Sequence, residues 1–387
     1  MRNFQLIFSA SHVDPAAIVE ASHIFQSRVL CNNPQYRGLV MALALPLAAH
    51  HEPLMHAWIS STLLFMSGNG DSSQMREESV IHYNHAVREL QTSVLEGDLS
   101  DEWKRATVML CHAIELLQPI PSPRLARSHL VAAHHMFQAT IGQPGVPHGD
   151  HDGLLFEAYI IRTTTNCLFQ QDIHRQLPYN YVETLSTMHA NALKRRSLDM
   201  SPLNCPWLSN FGPEMMDMAF KTSWIYAQGL SADSARREAV EIWNNLDKMA
   251  ESSGVLPDTV RESDYKITRR IWSTACRALL WPLVPAEGSP HASPDHEAII
   301  SFGLRDMGAM PQAWADDMTM FWPLVILAAL SRSFNNQSIA SEMVTRFRTP
   351  VSKHTVDYVR SFLTEAWGAA DKTAPFKDSE TLRSILL

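Results

Sequence analysis

The sequence is poor in basic residues and in cysteine. Its 32 lysines and arginines are outnumbered by 40 acidic residues, which gives a formal net charge of −8. Because binding to nucleic-acid phosphates needs clustered lysine and arginine, this balance argues against a nucleic-acid surface. The five cysteines lie far apart, without the short spacing of a zinc site, and such an odd, scattered set is typical of reduced thiols in a cytosolic or nuclear protein.

Signals for secretion and for membrane insertion are also missing. The N-terminal MRNFQLIFSASHVDP has one arginine and a short apolar patch, but it lacks the apolar core of a signal peptide. The apolar run over 39–49 contains Pro46 and ends at two histidines, so it is too short for a membrane span and is typical of a buried segment. The sequence therefore predicts no membrane association and a cytoplasmic location.

The common catalytic signatures are absent as well, and helical periodicity dominates. There is no serine nucleophile elbow, no phosphate-binding glycine loop and no dinucleotide fingerprint. Apolar residues recur at helical spacing, and prolines or glycines end the segments. Helices are predicted over 38–49, 53–66, 78–96, 103–118, 124–137, 154–176, 215–227, 234–250, 264–283, 339–348 and 356–367. We expect an all-α fold with a single multi-helix domain over 1–370 and a loosely ordered tail over 371–387.

The stretch Pro311–Arg332 is the most informative part of the chain. Asp316 and Asp317 stand directly ahead of the longest apolar run in the second half of the sequence. Such a pattern is typical of a buried helix and equally of the acidic mouth of an apolar pocket, where carboxylates hold Mg²⁺. The alternative role for one of the aspartates is to cap the helix that starts at Met318.

A basic cluster precedes that stretch by about fifty residues. Lys266, Arg269 and Arg270 fall at i, i+3 and i+4, which places them on one face of a helix. Like charges so close together destabilise a helix unless an anion lies opposite, and a diphosphate would be such an anion. The alternative is a solvated face on which Glu262 pairs with Lys266.

Several aromatic residues accompany these charges. They are either the lining of an apolar pocket, where ring faces stabilise positive charge, or ordinary core residues. The set comprises Trp272, Trp281, Trp314, Phe321 and Trp322.

Two further patterns suggest metal ligands but also have simpler explanations. Ser338 and Glu342 are spaced i, i+4, although Glu342 is equally placed to pair with Arg346 on a surface helix. Fifteen of the eighteen histidines precede Ala190, so a histidine-based metal site would lie in the first half of the chain. The compact ligand-like cluster there is in a Gly/Pro loop, and a solvated loop is the alternative reading of its residues His148, Asp150, His151 and Asp152.

The order of the segments resembles the fungal-specific transcription factor domain, the regulatory domain of fungal zinc-cluster regulators. The matching stretches are PLMHAWISSTLLFMSG, IHYNHAVRELQTSVLEG, VMLCHAIELLQ with SHLVAAHHMF, SPLNCPWLSNFGPEMMDMAF and FWPLVILAALS. The resemblance covers most of the chain and implies a fold more directly than a function. Regulators of that family carry six closely spaced cysteines and a basic segment ahead of this domain, and this sequence has neither. Without a base-reading element, we expect no direct DNA binding.

The chain also resembles the atypical fungal humulene-synthase-like terpene cyclases, which look like this domain without the zinc cluster. That resemblance implies a Mg²⁺-dependent cyclase that ionises a prenyl diphosphate such as farnesyl diphosphate in fungal secondary metabolism. Asp316 and Asp317 would then hold Mg²⁺, and Lys266 would act with them in catalysis. The substrate would be bound by Arg269, Arg270, Trp314, Phe321 and Trp322.

Two further functions stay open at this point. One is a nuclear regulator or co-regulator of a fungal biosynthetic gene cluster that works through protein partners, and the other is a non-catalytic domain that binds a small apolar effector. Besides the prenyl diphosphate, a second copy of the chain in a homodimer is a candidate partner.

Overall fold

The computed structural model describes most of the chain from residue 46 onwards. The described residues are 46–68, 73–97, 99–118, 122–141, 152–195, 205, 208, 212–228, 230–251, 262–284, 295–310, 318–346, 353–371, 373–378, 382 and 385. Within these ranges all regular secondary structure is helical and there is no strand, which confirms the predicted all-α class. None of the described helices is long and apolar enough to cross a membrane.

The described helices are, in chain order, α1 (Glu52–Gly68), α2 (Ser73–Glu96), α3 (Glu102–Leu117), α4 (Pro123–Ile141), α5 (Asp152–Cys167), α6 (Gln171–His174), α7 (Tyr181–Arg195), α8 (Pro213–Gln228), α9 (Ala232–Glu251), α10 (Glu262–Leu280), α11 (His296–Ala309), α12 (Phe321–Leu330), α13 (Phe334–Arg346), α14 (Lys353–Gly368) and α15 (Pro375–Asp378). A 3₁₀ turn, Trp281–Leu283, extends α10, and another, Met318–Met320, leads into α12.

The described residues group into two compact units, whereas the sequence analysis expects one domain. Unit 1 takes the described residues up to Tyr159 and those within Met188–Pro206. Unit 2 takes those within Ile160–Thr187 and from Trp207 onwards.

Unit 1 is built around the contact of α1, α2 and α3. Leu63 of α1, Ala86 of α2 and Ile114 of α3 are all fully buried in one apolar cluster. Small residues let α1 and α2 approach closely, and a hydrogen bond of 2.8 Å from Ser60 Oγ to the Ser79 carbonyl joins the two helices. This polar contact satisfies a hydroxyl that would be costly to bury alone.

Unit 2 is built around α12. Every residue of this ten-residue helix is buried, because its sequence FWPLVILAAL has no polar face to turn towards solvent. Helices α10, α11, α13 and α14 pack against it. One edge is tied to α14, where the indole Nε1 of Trp367 donates a hydrogen bond of 2.8 Å to the Ala328 carbonyl. A buried helix was one of the two structures predicted for the apolar run after Asp317, and this prediction is therefore confirmed.

Contacts along α10 and α11 fix the directions of these helices in unit 2. At one end His296 Nε2 donates to the Ala278 carbonyl, and at the other Arg270 pairs with Asp306, so α10 and α11 are antiparallel. Helix α12 runs antiparallel to α11, because the Glu297 carboxylate lies beside the C-terminal end of α12, where it accepts from the Arg332 amide. Helices α10 and α12 are consequently parallel and begin at the same end of unit 2.

Helix α8 also begins at that end. The Tyr226 hydroxyl, near the end of α8, donates a hydrogen bond of 2.5 Å to the Leu279 carbonyl near the end of α10. At the other end Gly212, directly before α8, lies against the guanidinium of Arg269. The three helices are parallel, and α8 and α12 start beside the middle of α10, which begins two to three turns earlier.

Some predicted boundaries need correction. The long helix predicted over 154–176 is two helices, α5 and the short α6. Helices α7 and α11 were not predicted at all. The tail predicted to be loose is packed where the structure describes it: Phe376 is fully buried, and Gln170 Nε2 donates a hydrogen bond of 3.3 Å to the Ile385 carbonyl.

Candidate functional site

The side of unit 2 where α8 and α12 begin carries Arg269 and Arg270, which lie two turns into α10. We call it the Arg269 end and define it by Gly212, Glu214, Arg269, Arg270 and Asp306. All five residues lie in unit 2. Each helix start contributes backbone N–H groups without an intrahelical partner, together with the positive end of the helix dipole. The Arg269 end therefore favours negative charge.

Arg269 packs against the backbone of Gly212. A Cβ atom added to Gly212 would lie 2.7 Å from Arg269 Nη2 and 3.2 Å from Glu214 Oε2, so only the absence of a side chain lets both groups reach this position. Gly212 also has a φ of 78°, a conformation that glycine adopts without strain. The chain turns there into α8, whose first residue is Pro213, a favoured residue at a helix start.

Arg269 makes no hydrogen bond or ion pair within the described part of the chain. Its Nε is buried without an acceptor there. A guanidinium always carries its charge, and burying a cation is costly unless an anion pairs with it. Glu214 is the nearby carboxylate, but the two side chains form no ion pair. Arg269 thus has donors available for an anion.

Arg270 occupies a different environment from Arg269. It forms a two-point pair with Asp306, with Nε 2.5 Å from Oδ2 and Nη2 2.9 Å from Oδ1. Its guanidinium also lies over the Phe302 ring, 5.2 Å from the centroid. Arg270 therefore already has a carboxylate partner, whereas Arg269 has none in the described chain, and the joint binding of one anion by both arginines stays a prediction.

The predicted aromatic residues Phe321 and Trp322 are core residues. Both are fully buried at the start of α12, and the Trp322 ring stacks on Trp272 of α10 with centroids 4.7 Å apart. This stack lies three residues beyond Arg269 along α10, which is about 5 Å of helix. This geometry matches the alternative that Phe321 and Trp322 are ordinary core residues.

Two polar groups near this stack are buried and have no hydrogen-bond partner among the described residues. They are the indole Nε1 of Trp322 and the hydroxyl of Thr268, which sits one turn before Trp272 on the same face of α10. Buried polar atoms are normally satisfied, so the partner of each is water, a ligand or a residue outside the described ranges.

Other predicted site residues lie outside what the structure describes. Asp316, Asp317 and Trp314 fall in the undescribed residues 311–317, directly before the turn that leads into α12. Lys266 lies within α10, but the position of its side chain is not described. The sequence does place Asp317 next to Met318, whose backbone is described at the start of that turn.

The second predicted metal motif is a surface ion pair. Arg346 Nη2 contacts Glu342 Oε1 one turn away on α13, and both side chains are more than half exposed. The simpler alternative for Glu342 is thus confirmed. Sequence reasoning missed Gly212, Glu214 and Asp306, which are between 36 and 57 residues away from the arginines they accompany. The glycine ahead of Pro213 was the available signal for the sharp turn.

Comparison with known proteins assigns the chain to no family, since no protein-family model, no curated protein and no solved structure matches it.

Proposed function

We propose that unit 2 is a Mg²⁺-dependent terpene cyclase that ionises a prenyl diphosphate such as farnesyl diphosphate. The observation that carries the proposal is Arg269, a cation without an anionic partner in the described chain, held beside the starts of α8 and α12. A diphosphate group matches this charge and the free backbone donors of the helix starts.

The two predicted aspartates give this site its metal ligands. Mg²⁺ takes oxygen donors and commonly bridges protein carboxylates to substrate phosphates. Asp316 and Asp317 supply such oxygens, and the covalent chain keeps the Cα of Asp317 about 3.8 Å from that of Met318. The bound metal would neutralise charge on the diphosphate. Lys266, on the same helix as Arg269, supplies a further cation.

The protein groups would act on the leaving diphosphate. Breaking the allylic carbon–oxygen bond sends both electrons to the diphosphate and leaves an allylic cation. Arg269 and the helix starts stabilise the negative charge that develops on the departing group. An alkene of the same molecule then attacks the cation, and loss of a proton yields a cyclic hydrocarbon. Arg270, which Asp306 already neutralises, holds α10 against α11 in this scheme.

The experiment is to incubate the purified chain with farnesyl diphosphate, with Mg²⁺ or with EDTA, and to analyse the extract for hydrocarbons. We expect a Mg²⁺-dependent sesquiterpene. Arg269→Ala should lower the rate by about 100-fold, the usual effect of removing one donor from a developing anion. Asp316→Ala and Lys266→Ala should abolish or strongly reduce product formation.

Arg346→Ala is the matched control, because it removes an arginine whose partner is an exposed glutamate on α13. Its rate should equal that of the wild type. If geranyl, farnesyl and geranylgeranyl diphosphate all give no product, the cyclase proposal is wrong. A chain that enters the nucleus and associates with a DNA-binding protein would then support the regulator alternative.

A further inference from the structure

Unit 1 contains a buried group of three potential metal ligands that the cyclase proposal does not use. They are Glu157 of α5, His189 of α7 and Cys205, and their side-chain donor atoms all lie within 4.8 Å of one another. Cys205 Sγ is 3.3 Å from His189 Nε2, and that nitrogen is 3.4 Å from Glu157 Oε1. Cys205 and Glu157 are 0% exposed and His189 is 1% exposed.

The arrangement differs from that of a catalytic triad. In a triad the base uses one ring nitrogen for the nucleophile and the other for the carboxylate. Here the same nitrogen, His189 Nε2, faces both the thiol and the carboxylate. A nucleophile also needs access to its substrate, and the Cys205 side chain has no exposed surface. The thiol and the carboxylate therefore both face one histidine nitrogen, as ligands of a single metal ion would, instead of lying on opposite sides of the ring as in a triad.

The distances match those between ligands of a tetrahedral metal. With zinc–sulfur bonds near 2.3 Å and zinc–nitrogen or zinc–oxygen bonds near 2.0–2.1 Å, neighbouring ligand atoms are about 3.3–3.6 Å apart. The two distances at His189 Nε2, 3.3 and 3.4 Å, fall in or at the edge of that range. A metal ion could therefore be bound with little movement of these side chains.

The histidine is held in place by its neighbours. A Cβ atom on Gly153 would lie 3.2 Å from His189 Cε1, so the absence of a side chain on α5 makes room for the ring. The Phe156 ring lies nearly parallel to the imidazole, at an interplanar angle of 12°. Fixed ring orientation of this kind is what metal-ligating histidines usually have.

We infer that Glu157, His189 and Cys205 form a zinc site that holds together α5, α7 and the segment at Cys205 within unit 1. A thiolate and an imidazole favour zinc over magnesium, which takes oxygen ligands. The site is independent of the proposed cyclase, whose metal is bound by carboxylates.

The test measures metal in the full-length chain purified without chelator. Elemental analysis should find about one zinc per chain, and Cys205→Ser and His189→Gln should each lower this at least several-fold. Replacement of zinc by Co²⁺ should give thiolate-to-metal charge-transfer absorption and the strong visible bands of a tetrahedral site. This absorption reports on the wild type directly, so the test remains decisive if a variant fails to fold.

Cys111→Ser is the matched control, because Cys111 is another fully buried thiol of unit 1 that lies outside the group. It should keep its zinc and its cobalt spectrum. Zinc retained at full stoichiometry in Cys205→Ser would show binding elsewhere and overturn the inference. Failure of the wild type to bind either Zn²⁺ or Co²⁺ after refolding with the metal would also overturn it. Neither result depends on cyclase activity.

Discussion

At the scale of single residues, the position of Arg269 depends on Gly212. We predict that Gly212→Ala lowers the free energy of unfolding by about 1–3 kcal/mol, because it adds a side chain at positive φ and displaces a packed guanidinium. The new Cβ would approach Arg269 Nη2 to 2.7 Å. The same change should reduce the proposed cyclase rate, since Arg269 must move. Urea denaturation of the variant and wild type measures the first effect.

Gly368 provides the comparison for this prediction. It is the last residue of α14, and a Cβ atom there would meet nothing within 4 Å. Gly368→Ala should be neutral or should stabilise by about 0.4–1 kcal/mol through the unfolded state. Equal losses at Gly212 and Gly368 would contradict the role assigned to the Gly212–Arg269 contact.

Two ion pairs show which side-chain contacts could be predicted from the sequence and which could not. The i, i+4 pair of Glu342 and Arg346 was predictable because both residues lie on one helix. The pair of Arg270 and Asp306 was not, since it joins two helices whose contact only the fold creates. Spacing placed Arg269 and Arg270 on one face of a helix, yet Arg270 pairs with Asp306 of α11 whereas Arg269 packs against Gly212.

At the scale of elements, the packing of α13 depends on a carboxylate from α11. Glu297 accepts hydrogen bonds from the backbone amides of Arg332 and Ser333, both at 3.0 Å, and from Asn336 Nδ2 at 2.7 Å. These donors surround the start of α13, where amides lack helical partners. Although burial opposes ionisation, the hydrogen bonds lower the pKa of Glu297. The carboxylate therefore acts as a cap supplied by another helix.

We predict that Glu297→Ala lowers the free energy of unfolding by about 1–3 kcal/mol, because it leaves these donors unsatisfied. Because the folded state holds Glu297 at a lowered pKa, its contribution is present above pH about 4.5 and declines as the pH falls below that value. Urea denaturation at neutral pH measures the loss. Glu342→Ala, which removes an exposed glutamate of α13, should change stability by less than about 0.5 kcal/mol. A similar loss in both variants would contradict the capping role.

Two elements that the sequence analysis missed show the limits of periodicity. Helix α11 contains Gly303 and Gly308, and helix α7 contains one serine and two threonines. All of these residue types have a lower helix propensity than alanine or leucine. Tertiary packing forms both helices despite these residues. For α11 a start signal existed, since Asp295 is the N-cap and accepts from the Glu297 amide. Helix α12 was predictable because its continuous apolar sequence favours the buried position that it occupies.

At the scale of the whole molecule, buried histidines make both units sensitive to acid. Burial lowers the pKa of His82 and His129 in unit 1 and of His174 in unit 2, each to about 4, and for His82 the neighbouring His56 and His85 add to the effect. Three more histidines have pKa values lowered mainly by burial, namely His51, His56 and His296. Two carboxyl groups, Glu115 and Asp217, have pKa values raised by burial, and these act in the opposite direction.

The sign of the effect follows from which state binds protons. In the unfolded chain a histidine is protonated as the pH falls through about 6.5, whereas His82, His129 and His174 stay neutral in the folded chain until about pH 4. Acid therefore favours the unfolded state across that interval. Each buried histidine should remove on the order of 1–3 kcal/mol of stability over the full interval. We expect the histidines to set the sign of the net effect, because the pKa values of His82, His129 and His174 are lowered to about 4.

We predict that the free energy of unfolding falls steadily between pH 6.5 and pH 5. Urea denaturation at several pH values in this range measures the slope, which equals the difference in protons bound by the unfolded and folded chains. His129→Gln should flatten the slope by up to one proton, because it removes a group that shares a hydrogen bond of 2.6 Å with the Tyr83 hydroxyl and stays neutral when folded. A stability that is constant or rises on acidification would show that these histidines gain protons in the folded state, which the burial of their rings opposes.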